Sequence, residues 1–472
     1  MTKMLCNINK ILLDVLQVIN ENGKGIAFIV DDRNKLHGIL TDGDIRKLLL
    51  EGCKLQEPIK NLINKDFIYA FSNENPLDVI GKTNDKIKII PIIDENHNYV
   101  DFFEFSNRIH IPIASPLLNG NELKYLTDAF LSTWISSAGK YIDLFENEFS
   151  KFCECKYGIA VSNGTVALHL ALLALGIGKG DEVIVPDLTF AATINAILHC
   201  NATPVIVDIE KDSWCIDPLE IEKAITPKTK AIIPVHIYGQ PCDMNSIMKI
   251  AKNHKLFVIE DCAEAHGARY NDKKVGSYGD IGCFSFFGNK VITTGEGGMC
   301  VTNSQELAEK IRILKDHGMS KTKKYWHDVI GYNYRMTNLQ ASIGLAQLER
   351  VNFILEYRKK IENDYIRLLS EIDFIEFQKN NLPKREKITW IVSVLIKSGN
   401  RDTLLQRLME KGIDARPFFY PLSSMDIYKK FVFSNKICKE IASSGINFPT
   451  NSSVNKKIIE KIKEIILSNQ LI

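Results

Sequence analysis

A lysine, Lys290, stands between an aromatic strand and a glycine-rich loop in the segment FSFFGNKVITTGEGGMC, residues 284–300. A lysine considered alone is usually a solvated surface residue. The loop glycines, however, permit backbone conformations and close approaches that other residues avoid. An amine held beside such a loop can act as a nucleophile toward a carbonyl group. Which of these two interpretations applies to Lys290 depends on the segments that fold next to it.

A second segment, GIAVSNGTVALHLALLAL at residues 158–175, reads as a strand, a tight turn and a strongly apolar helix. The turn directs backbone N–H groups near Gly164 and the hydroxyl of Thr165 toward the helix start, where an anion is favoured. Each helix-terminus interaction contributes only about 0.3–1 kcal/mol when exposed and up to about 2 kcal/mol when partly buried. A phosphate therefore needs further donors, and the Ser285 hydroxyl can supply one.

An acid and an aromatic residue follow two other predicted strands. Asp261 ends the buried run in KLFVIEDCAEAHGA, where a carboxylate can keep a heteroaromatic nitrogen protonated, and each pKa unit so gained corresponds to about 1.4 kcal/mol. Phe190, in PDLTFAATINAI, can stack on a planar ring. Considered alone, Asp261 could equally be a solvated residue at a strand end, and Phe190 could equally be a core aromatic. Together, a phosphate cradle, a carboxylate, a stacking aromatic and an amine describe pyridoxal 5′-phosphate held as a Schiff base on Lys290.

The elements that must position these groups are short apolar runs separated by helical stretches, from residue 111 onward. The runs are EVIVP, TPVIVD, KAIIPVH and KLFVIED. This alternation is typical of βαβ units, and it predicts a mainly parallel sheet with helices on both faces. Ligands in such sheets bind at the carboxyl ends of the strands. The sequence therefore predicts that the ligand-binding and catalytic residues lie at that edge of the sheet.

Length and composition limit the function classes. A chain of 472 residues favours two to four domains at roughly 100–200 residues each. Lys plus Arg (59) nearly balance Asp plus Glu (57), so we expect neither nucleic acid nor an anionic membrane as the main partner. No apolar run reaches about 18 residues and no signal peptide is evident, which predicts a cytoplasmic protein. The eleven cysteines form no CxxC pair, so we expect reduced thiols and no metal.

Residues 1–108 contain a predicted internal duplication. The first copy, GIAFIVDDRNKLHGILTDGDIRKLLLEG, is matched by the weaker IKIIPIIDENHNYVDFFEF, after an N-terminal helix. This part resembles a CBS-domain pair, whose signature appears as Gly38, Thr41 and Asp44. The resemblance implies an adenine nucleotide at Thr41 and Asp44, in the first copy only. Alternatively, these two residues simply cap a helix that begins near Ile45.

The chain from Ile111 to the C-terminus closely resembles the sugar aminotransferases of the DegT/DnrJ/EryC1/StrS family. The segments that carry the resemblance are SNGTVALHLAL, GKGDEVIVPDLTFAATINAI, PVHIYGQPCDM, VIEDCAEAHGA, GSYGDIGCFSFFGNKVITTGEGGM and GYNYRMTNLQASIGLAQLER. The resemblance implies the fold-type I α/β fold of pyridoxal 5′-phosphate enzymes, with a smaller C-terminal α+β domain. We therefore expect a CBS-like pair at 1–108, a cofactor-binding domain at 109–350 and a small domain at 351–472.

The resemblance also implies roles for single residues. Lys290 matches the Schiff-base lysine and Asp261 the partner of the pyridinium nitrogen, while Glu264 stands near the cofactor's phenolic oxygen, where many relatives carry Gln. The remaining cofactor positions are Gly164, Thr165 and Ser285 for the phosphate and Phe190 for ring stacking. Asn333, in GYNYRM, matches an asparagine that reaches the phosphate in the neighbouring subunit, which implies a homodimer or a higher homo-oligomer.

Four further residues are candidates for substrate contacts. Tyr334, Arg335 and Arg416 are nucleotide-sugar candidates, with surface salt bridges as the other interpretation for both arginines. His266 is either an aid to proton transfer or a structural histidine.

The resemblance implies transamination of a nucleotide-linked 4-keto-6-deoxy sugar with L-glutamate, for polysaccharide (O-antigen) biosynthesis. The segments EDCAEAHGA and FFGNKVITTGEGGM are most similar to the branch that acts on GDP-4-keto-6-deoxymannose. A UDP- or dTDP-linked ketosugar is the alternative substrate. The family's sugar dehydratases carry histidine in place of the lysine, so Lys290 argues against that activity. A non-catalytic protein that keeps the fold and senses a ligand is the alternative from another class.

Overall fold

A computed structural model describes residues 4–74, 78–79, 82–84, 87–104, 111–320 and 322–469. The chain forms two compact units, Met1–Asn107 and Arg108–Ile472. The boundary that we predicted after residue 108 lies outside the described residues, and the division of the second unit at residue 350 stays a prediction.

The N-terminal unit contains two small sheets with the same strand pattern. Its elements are β1 (Leu5–Asn7), α1 (Leu12–Asn22), β2 (Ile26–Val30), β3 (Leu36–Thr41), α2 (Asp42–Leu50), β4 (Ala70–Phe71), β5 (Ile89–Ile93) and β6 (Tyr99–Glu104). β1 pairs parallel with β2, which pairs antiparallel with β3. β4, β5 and β6 repeat this arrangement. A shared strand pattern is what an internal duplication produces.

Two details of this unit differ from the sequence-based expectation. A short strand, β1, precedes the first helix and was not predicted; at three residues it is too short to show an apolar alternation. Helix α2 begins at Asp42 rather than near Ile45, because Thr41 and Asp44 form a capping box at its start.

The C-terminal unit alternates strands and helices along its first two thirds. The elements are α3 (Glu122–Leu131), α4 (Lys140–Phe152), β7 (Tyr157–Val161), α5 (Gly164–Ala174), β8 (Glu182–Pro186), α6 (Ala191–His199), β9 (Thr203–Val207), α7 (Pro218–Ala224), β10 (Thr229–Ile232), α8 (Met244–His254), β11 (Phe257–Asp261), β12 (Arg269–Tyr270), β13 (Lys273–Lys274), β14 (Ile281–Ser285), β15 (Gly298–Thr302) and α9 (Gln305–Lys315). The remaining elements are α10 (Asn338–Glu349), α11 (Val351–Leu369), β16 (Ile375–Phe377), β17 (Arg385–Glu386), β18 (Val392–Ile396), α12 (Arg401–Glu410), β19 (Arg416–Pro417), α13 (Lys436–Ser444), β20 (Gly445–Phe448) and α14 (Lys456–Asn469).

A seven-stranded sheet in the order β7-β15-β14-β11-β10-β8-β9 forms the centre of this unit. Its neighbours pair parallel except for β15, which runs antiparallel to both β14 and β7. The predicted mainly parallel sheet is therefore confirmed. Strands such as β14 are buried along their whole length, and helix α5, rich in leucine and alanine, is buried nearly all round between its neighbours. Continuous apolar runs of this kind suit strands covered on both faces.

A smaller α+β part follows, as predicted for the fold class. Its four-stranded antiparallel sheet has the order β16-β18-β20-β19. Helix α11 packs on it through Ile361, Tyr365 and Leu369, and the Tyr365 ring stacks on Phe448 at 5.7 Å between centroids. In the part of the chain that the structure describes, no helix combines the length and the apolar character that crossing a membrane would require.

Candidate active site

Segments that follow β7, β8, β11 and β14 surround a cavity of about 720 Å³. Helices, short strands and loops separate these four strands along the chain, and the sheet topology brings residues that are far apart in sequence to one edge. The site residues predicted from sequence that line the cavity are Gly164, Thr165, Phe190, Asp261, Glu264, Ser285, Lys290 and Arg416.

The N-terminus of α5 forms one end of this cavity. Asn163 caps the helix by accepting a hydrogen bond from the Val166 N–H at 3.0 Å, and Gly164 and Thr165 face the cavity. A Cβ on residue 164 would lie 2.7 Å from the Cβ of Ser285, so glycine lets the helix start approach β14. Unpaired N–H groups and the Ser285 hydroxyl at a helix start suit an anion such as a phosphate.

The glycine-rich loop after Lys290 supports this end of the cavity. A Cβ on Gly298 would overlap the carbonyl oxygen of Asn163, so β15 can lie under the turn only with glycine at that position. The glycines therefore permit a close packing of β15 against the start of α5. They do not themselves line the cavity among the described residues.

Asp261 is buried at the end of β11 with both oxygens partly satisfied. Its Oδ2 accepts a hydrogen bond from the Thr193 hydroxyl at 2.8 Å, and its Oδ1 accepts one from the Ala263 N–H at 3.1 Å. Burial nevertheless raises the pKa of the Asp261 carboxyl. A cationic ring nitrogen placed in the cavity would favour the ionised carboxylate, because opposite charges stabilise each other at low dielectric.

Lys290 projects its Nζ between Glu264 and Trp390. Nζ lies 3.6 Å from Glu264 Oε1 and 4.0 Å from the centre of the Trp390 ring. Glu264 Oε2 accepts a hydrogen bond from the Tyr238 N–H at 2.8 Å. Burial raises the pKa of Glu264 to about 7 and lowers the pKa of Lys290, whereas the attraction between the two charges opposes both shifts. An amine with a lowered pKa keeps more of its nucleophilic, uncharged form near neutral pH.

A second cavity of about 340 Å³ adjoins the first. The walls that the two cavities share include Phe190, Trp390, Arg416 and Phe419. Phe190 is 61% exposed, so it offers aromatic surface to a planar ligand. Arg416 is held by Asp414 through two hydrogen bonds of 3.0 and 3.2 Å. Together the cavities offer aromatic surface and one oriented guanidinium.

His266 does not line the cavity. Its ring packs among Phe149, Phe284 and Phe286, with centroids 5.4–6.4 Å apart, and neither ring nitrogen has a hydrogen-bond partner among the described residues. Burial lowers the pKa of His266 to about 3, so the ring is neutral. This placement favours the structural interpretation over proton transfer.

Asn333, Tyr334 and Arg335 lie outside this cavity as well. Asn333 is exposed and accepts a hydrogen bond from Arg335 Nε at 3.2 Å. Arg335 also pairs with Asp316 at 2.8 Å, and the Tyr334 ring stacks on Tyr332 at 4.8 Å. The structure therefore does not bring these three residues to the lysine of the same chain.

Sequence reasoning missed two residues that contact the predicted ones. Thr193 donates to Asp261, and Trp390 covers Lys290 Nζ. Thr193 lies three residues after Phe190 at the start of α6, a spacing that places both on one side of a helix start and that could have been used. Trp390 lies a hundred residues after Lys290, and no local pattern connects the two.

A buried group of the described residues brings three metal-ligating atoms within 4.8 Å, those of His236, Glu260 and Cys262. His236 Nδ1 accepts a hydrogen bond from the Cys242 N–H at 3.1 Å, so Nε2 carries the proton that Glu260 accepts at 3.1 Å. Glu260 also accepts backbone N–H bonds of 2.7–2.8 Å from Gly276, Tyr278 and Gly279. These bonds occupy the carboxylate and fix the end of β11 beside Asp261.

In the N-terminal unit, Thr41 and Asp44 bond to each other. The Thr41 hydroxyl donates to Asp44 Oδ2 at 2.7 Å, and the Asp44 N–H donates to Thr41 Oγ1 at 3.2 Å. These are the bonds of a helix cap. The capping interpretation therefore accounts for both side chains in this structure.

Comparison with known proteins places this site in a family. The family model for the DegT/DnrJ/EryC1/StrS aminotransferases matches residues 116–467, and the CBS-domain model matches residues 4–51. The chain is 46% identical to GDP-perosamine synthase of Escherichia coli O157:H7, over 76% of this chain and 98% of that protein. It is 45% identical to GDP-perosamine synthase of Caulobacter vibrioides, over 75% and 96% of the two chains. Helicobacter pylori PseC, an aminotransferase involved in the biosynthesis of pseudoaminic acid, matches with a TM-score of 0.71 at 28% identity, covering 76% of this chain and 99% of that one.

The chain belongs to the DegT/DnrJ/EryC1/StrS aminotransferase family. The predicted class, a pyridoxal phosphate-dependent aminotransferase of fold type I with a CBS domain at its N-terminus, is confirmed. The CBS-domain model covers the first of the two predicted copies.

The residues present fit pyridoxal phosphate. Gly164 lets the start of α5 approach Ser285, so that backbone N–H groups, the Thr165 hydroxyl and the Ser285 hydroxyl meet at one end of the cavity, which suits the phosphate. Asp261 is a buried acid whose raised pKa a pyridinium nitrogen would lower, and Phe190 offers an exposed ring face. Lys290 presents a buried amine to the same space.

Proposed function

We propose that this chain transfers the amino group of L-glutamate to the keto carbon of GDP-4-keto-6-deoxymannose, giving GDP-perosamine and 2-oxoglutarate. The observation that carries the proposal is the buried amine of Lys290, set in one cavity with Asp261 and the start of α5, in a chain 46% identical to a GDP-perosamine synthase along 98% of that protein.

The cofactor, when bound, supplies a carbonyl group that amines attack and a ring that accepts electron density from a breaking C–H bond. We assign three tasks to this chain's residues. Lys290 is the nucleophile, and once free it is the base that carries a proton from the α-carbon of the amino acid. Asp261 holds the ring nitrogen protonated, with Thr193 fixing its orientation at 2.8 Å. The start of α5, Thr165 and Ser285 bind the phosphate.

Glu264 holds a proton next to Lys290 in this account. At 3.6 Å the carboxylate stabilises the ammonium form of the lysine, and its pKa of about 7 lets it exist in both protonation states near neutral pH. Glutamine at the same position could accept a hydrogen bond but could not change its charge. Glu264 would therefore adjust the charge at Lys290 as the reaction proceeds.

The second cavity is where we place the nucleotide part of the substrate. Its wall includes aromatic side chains, and Arg416 presents a guanidinium that Asp414 holds in place. A guanidinium suits a diphosphate because it offers several N–H donors in a fixed plane. Phe419 and Tyr420 offer apolar surface for a base.

We also propose a homodimer in which Asn333 reaches the cofactor phosphate of the partner subunit. The support is that Asn333 is exposed and lies outside the cavity of its own chain. Nearby, large apolar side chains are exposed, which is typical of an interaction surface: Tyr325, Trp326, Val329 and Ile330.

An adenine nucleotide at the N-terminal unit is a separate proposal. Asp44 and Thr41 would have to exchange their mutual hydrogen bonds for bonds to the ribose and phosphate. A nucleotide that binds the folded chain raises the melting temperature by mass action. We expect AMP, ADP or ATP to raise the melting temperature of the full chain and not that of Asp44→Ala. Asp42→Ala, in the same helical turn, is the matched control, and no shift with any of the three would leave Thr41 and Asp44 as a cap only.

The substrate assignment is tested by a panel of 4-keto-6-deoxyhexoses linked to GDP, UDP and dTDP, with L-glutamate as donor. Products are identified by mass spectrometry, and kcat/KM is measured for each. We expect the GDP-linked sugar to have the highest value, since a site built for the edge of guanine would leave buried groups unpaired with uracil or thymine, at about 1–3 kcal/mol for each group. A higher value for a UDP- or dTDP-linked sugar would exclude GDP-4-keto-6-deoxymannose as the preferred substrate.

A further inference from the structure

Arg358, on helix α11, is a buried cation with an unusual set of partners. Its side chain is 3% exposed, and among the described residues its hydrogen bonds go to carbonyl oxygens rather than to a carboxylate. Burial lowers the pKa of Arg358 to about 10. A buried guanidinium without a paired anion is unfavourable for stability. The two carbonyl groups that accept its hydrogen bonds indicate what this buried cation does.

The two carbonyl groups belong to Lys290 and Trp390. Arg358 Nη1 donates to the Trp390 carbonyl oxygen at 2.6 Å, and Nη2 donates to the Lys290 carbonyl oxygen at 3.3 Å. The planar guanidinium thus connects the backbone of the lysine to the backbone of the residue that covers its side chain. A lysine at position 358 could not make both bonds in this fixed geometry.

The Trp390 side chain makes two further contacts, one with the residue before Lys290 and one with Lys290 itself. Its indole Nε1–H donates to the carbonyl oxygen of Asn289, the residue before Lys290, at 2.7 Å. Its ring lies 4.0 Å from Lys290 Nζ, and the face of an indole attracts an ammonium group. The tryptophan side chain is itself 5% exposed, so it has little freedom to move.

These contacts restrain a side chain that is otherwise flexible. A lysine has four rotatable bonds, and the Nζ–Glu264 distance of 3.6 Å is too long for a hydrogen bond that would fix it. The ring of Trp390 keeps Nζ on one side of the cavity. Arg358 and the indole N–H fix the backbone from which the lysine side chain extends.

We propose that Arg358 and Trp390 are positioning residues that hold Lys290, backbone and Nζ together, in the geometry needed for its proton transfers. The inference rests on the proposed function, since it assumes that Lys290 carries the proton. A displacement of about 1 Å at a reacting group can lower a rate about 100-fold. Loss of either residue should therefore slow the proton-transfer step while leaving substrate binding largely intact.

The test uses the full-length holoenzyme and the variants Trp390→Phe, Trp390→Leu, Arg358→Lys and Arg358→Met. Trp214→Phe is the matched control, because Trp214 is a buried tryptophan that packs on Phe418 and is not among the described residues that line either cavity. Four quantities are measured for each protein: the melting temperature, kcat and KM with L-glutamate, the rate ratio between L-glutamate and its α-deuterated form, and the visible circular dichroism of the bound cofactor.

We expect Trp390→Leu, Arg358→Met and Arg358→Lys to lower kcat about 10- to 100-fold, with KM for glutamate changed less than about 3-fold. Their deuterium rate ratio should rise, because proton transfer becomes slower relative to the other steps, and the cofactor's dichroism should weaken as the lysine loses its fixed position. Trp390→Phe keeps a ring under Nζ and should lie between these variants and the wild type. Trp214→Phe should lower the melting temperature only.

Wild-type rate ratios and dichroism in folded Arg358→Lys and Trp390→Phe would overturn the inference, and these two conservative changes keep the test valid if the larger ones prevent folding. Failure of the wild type to release α-deuterium from glutamate would overturn the proposed function, and with it this inference. Normal release by the wild type and by every variant would overturn the inference alone.

Discussion

The Nζ atom of Lys290 lies 3.6 Å from Oε1 of Glu264, and both side chains are largely withdrawn from solvent, with 12% and 5% exposed. Burial moves the pKa of the carboxyl group up, to about 7, and the pKa of the amine down. The two values approach each other, so the form with a neutral amine beside a protonated carboxyl becomes more accessible than it is for the same groups in water. The pair therefore prepares the amine both to attack a carbonyl and to accept a proton later.

Replacing Asp261 by asparagine should leave cofactor binding largely intact and reduce kcat about 100- to 1000-fold. An amide cannot hold a ring nitrogen protonated as a carboxylate does, although it can still accept the Thr193 hydrogen bond. Bound cofactor is measured by absorbance after gel filtration, and turnover with L-glutamate as donor. Near-normal turnover in the asparagine variant would remove Asp261 from its proposed role.

Glu264→Gln should change how stability depends on pH. The pKa of Glu264 is raised from 4.5 to about 7 by burial, so the folded chain binds a proton that the unfolded chain releases between these values. The bound proton adds about 3 kcal/mol to the free energy of unfolding. This addition is fully present below pH 4.5 and is lost as the pH rises to about 7. In the cofactor-free protein, the variant should therefore gain melting temperature relative to wild type at pH 8 and little at pH 4.5.

Glu260→Gln is the matched control for that measurement and should show the opposite sign. Its pKa is lowered, because the hydrogen bonds from His236 and three backbone N–H groups outweigh burial. Its stabilising contribution is present above the unfolded pKa and is lost as pH falls, so the variant should be less stable than wild type at pH 8. If both variants showed the same pH dependence, the assigned pKa directions would be wrong.

Gly298→Ala should destabilise the cofactor-binding edge of the sheet by about 1–3 kcal/mol, because its Cβ would overlap the Asn163 carbonyl oxygen below the start of α5. Gly288→Ala, in the same region, is the control, since the nearest atom to its Cβ is the Gly295 carbonyl oxygen at 3.9 Å. Thermal unfolding and the dissociation constant for pyridoxal phosphate measure both effects. Equal behaviour of the two variants would contradict the close packing as the reason for glycine.

Mixing an inactive variant, Lys290→Ala, with an impaired one, Asn333→Ala, tests the proposed sharing of sites between subunits. Lys290→Ala lacks the amine in its own cavity, and Asn333→Ala lacks the side chain proposed to reach the partner. After subunit exchange, a mixed dimer contains one site with both residues intact, so up to about a quarter of wild-type activity should return at equal amounts of the two chains. Weak activity of Asn333→Ala alone is the baseline. No recovery, with mixed dimers demonstrated by mass spectrometry, would place Asn333 outside the partner's site.

Much of the site was predictable because its residues occur in local patterns. The runs EVIVP and KLFVIED indicate buried parallel strands. Asp261 ends the second run and Phe190 lies four residues after the first, so the topology brings them together. The start of α5 was predicted in the same way, from a turn followed by an apolar helix. Thr and Asp three residues apart also predict the cap at Thr41, although the sequence pattern puts the helix start near Ile45 and the structure puts it at Asp42.

The rest depends on contacts that no local pattern encodes. Trp390 and Arg358 reach Lys290 from segments about 100 and 70 residues away, through an indole N–H and a guanidinium that bond to backbone atoms. Backbone carbonyl groups are present at every residue, so the sequence does not say which one such a donor will find. The position of His266 could not be predicted either. The segment EDCAEAHGA is compatible both with a histidine that faces a cavity and with one that packs among three phenylalanine rings.

The central claim is that Lys290 is the residue joined to the cofactor, and its most direct test is chemical. The holoenzyme is reduced with sodium borohydride, digested, and its peptides are mapped by mass spectrometry. We expect one modified lysine, Lys290, and we expect Lys290→Ala to keep a wild-type circular dichroism spectrum in the far ultraviolet while losing the covalent label and at least about 100-fold in turnover. A label on another lysine, or no label in a protein that binds the cofactor, would contradict the account.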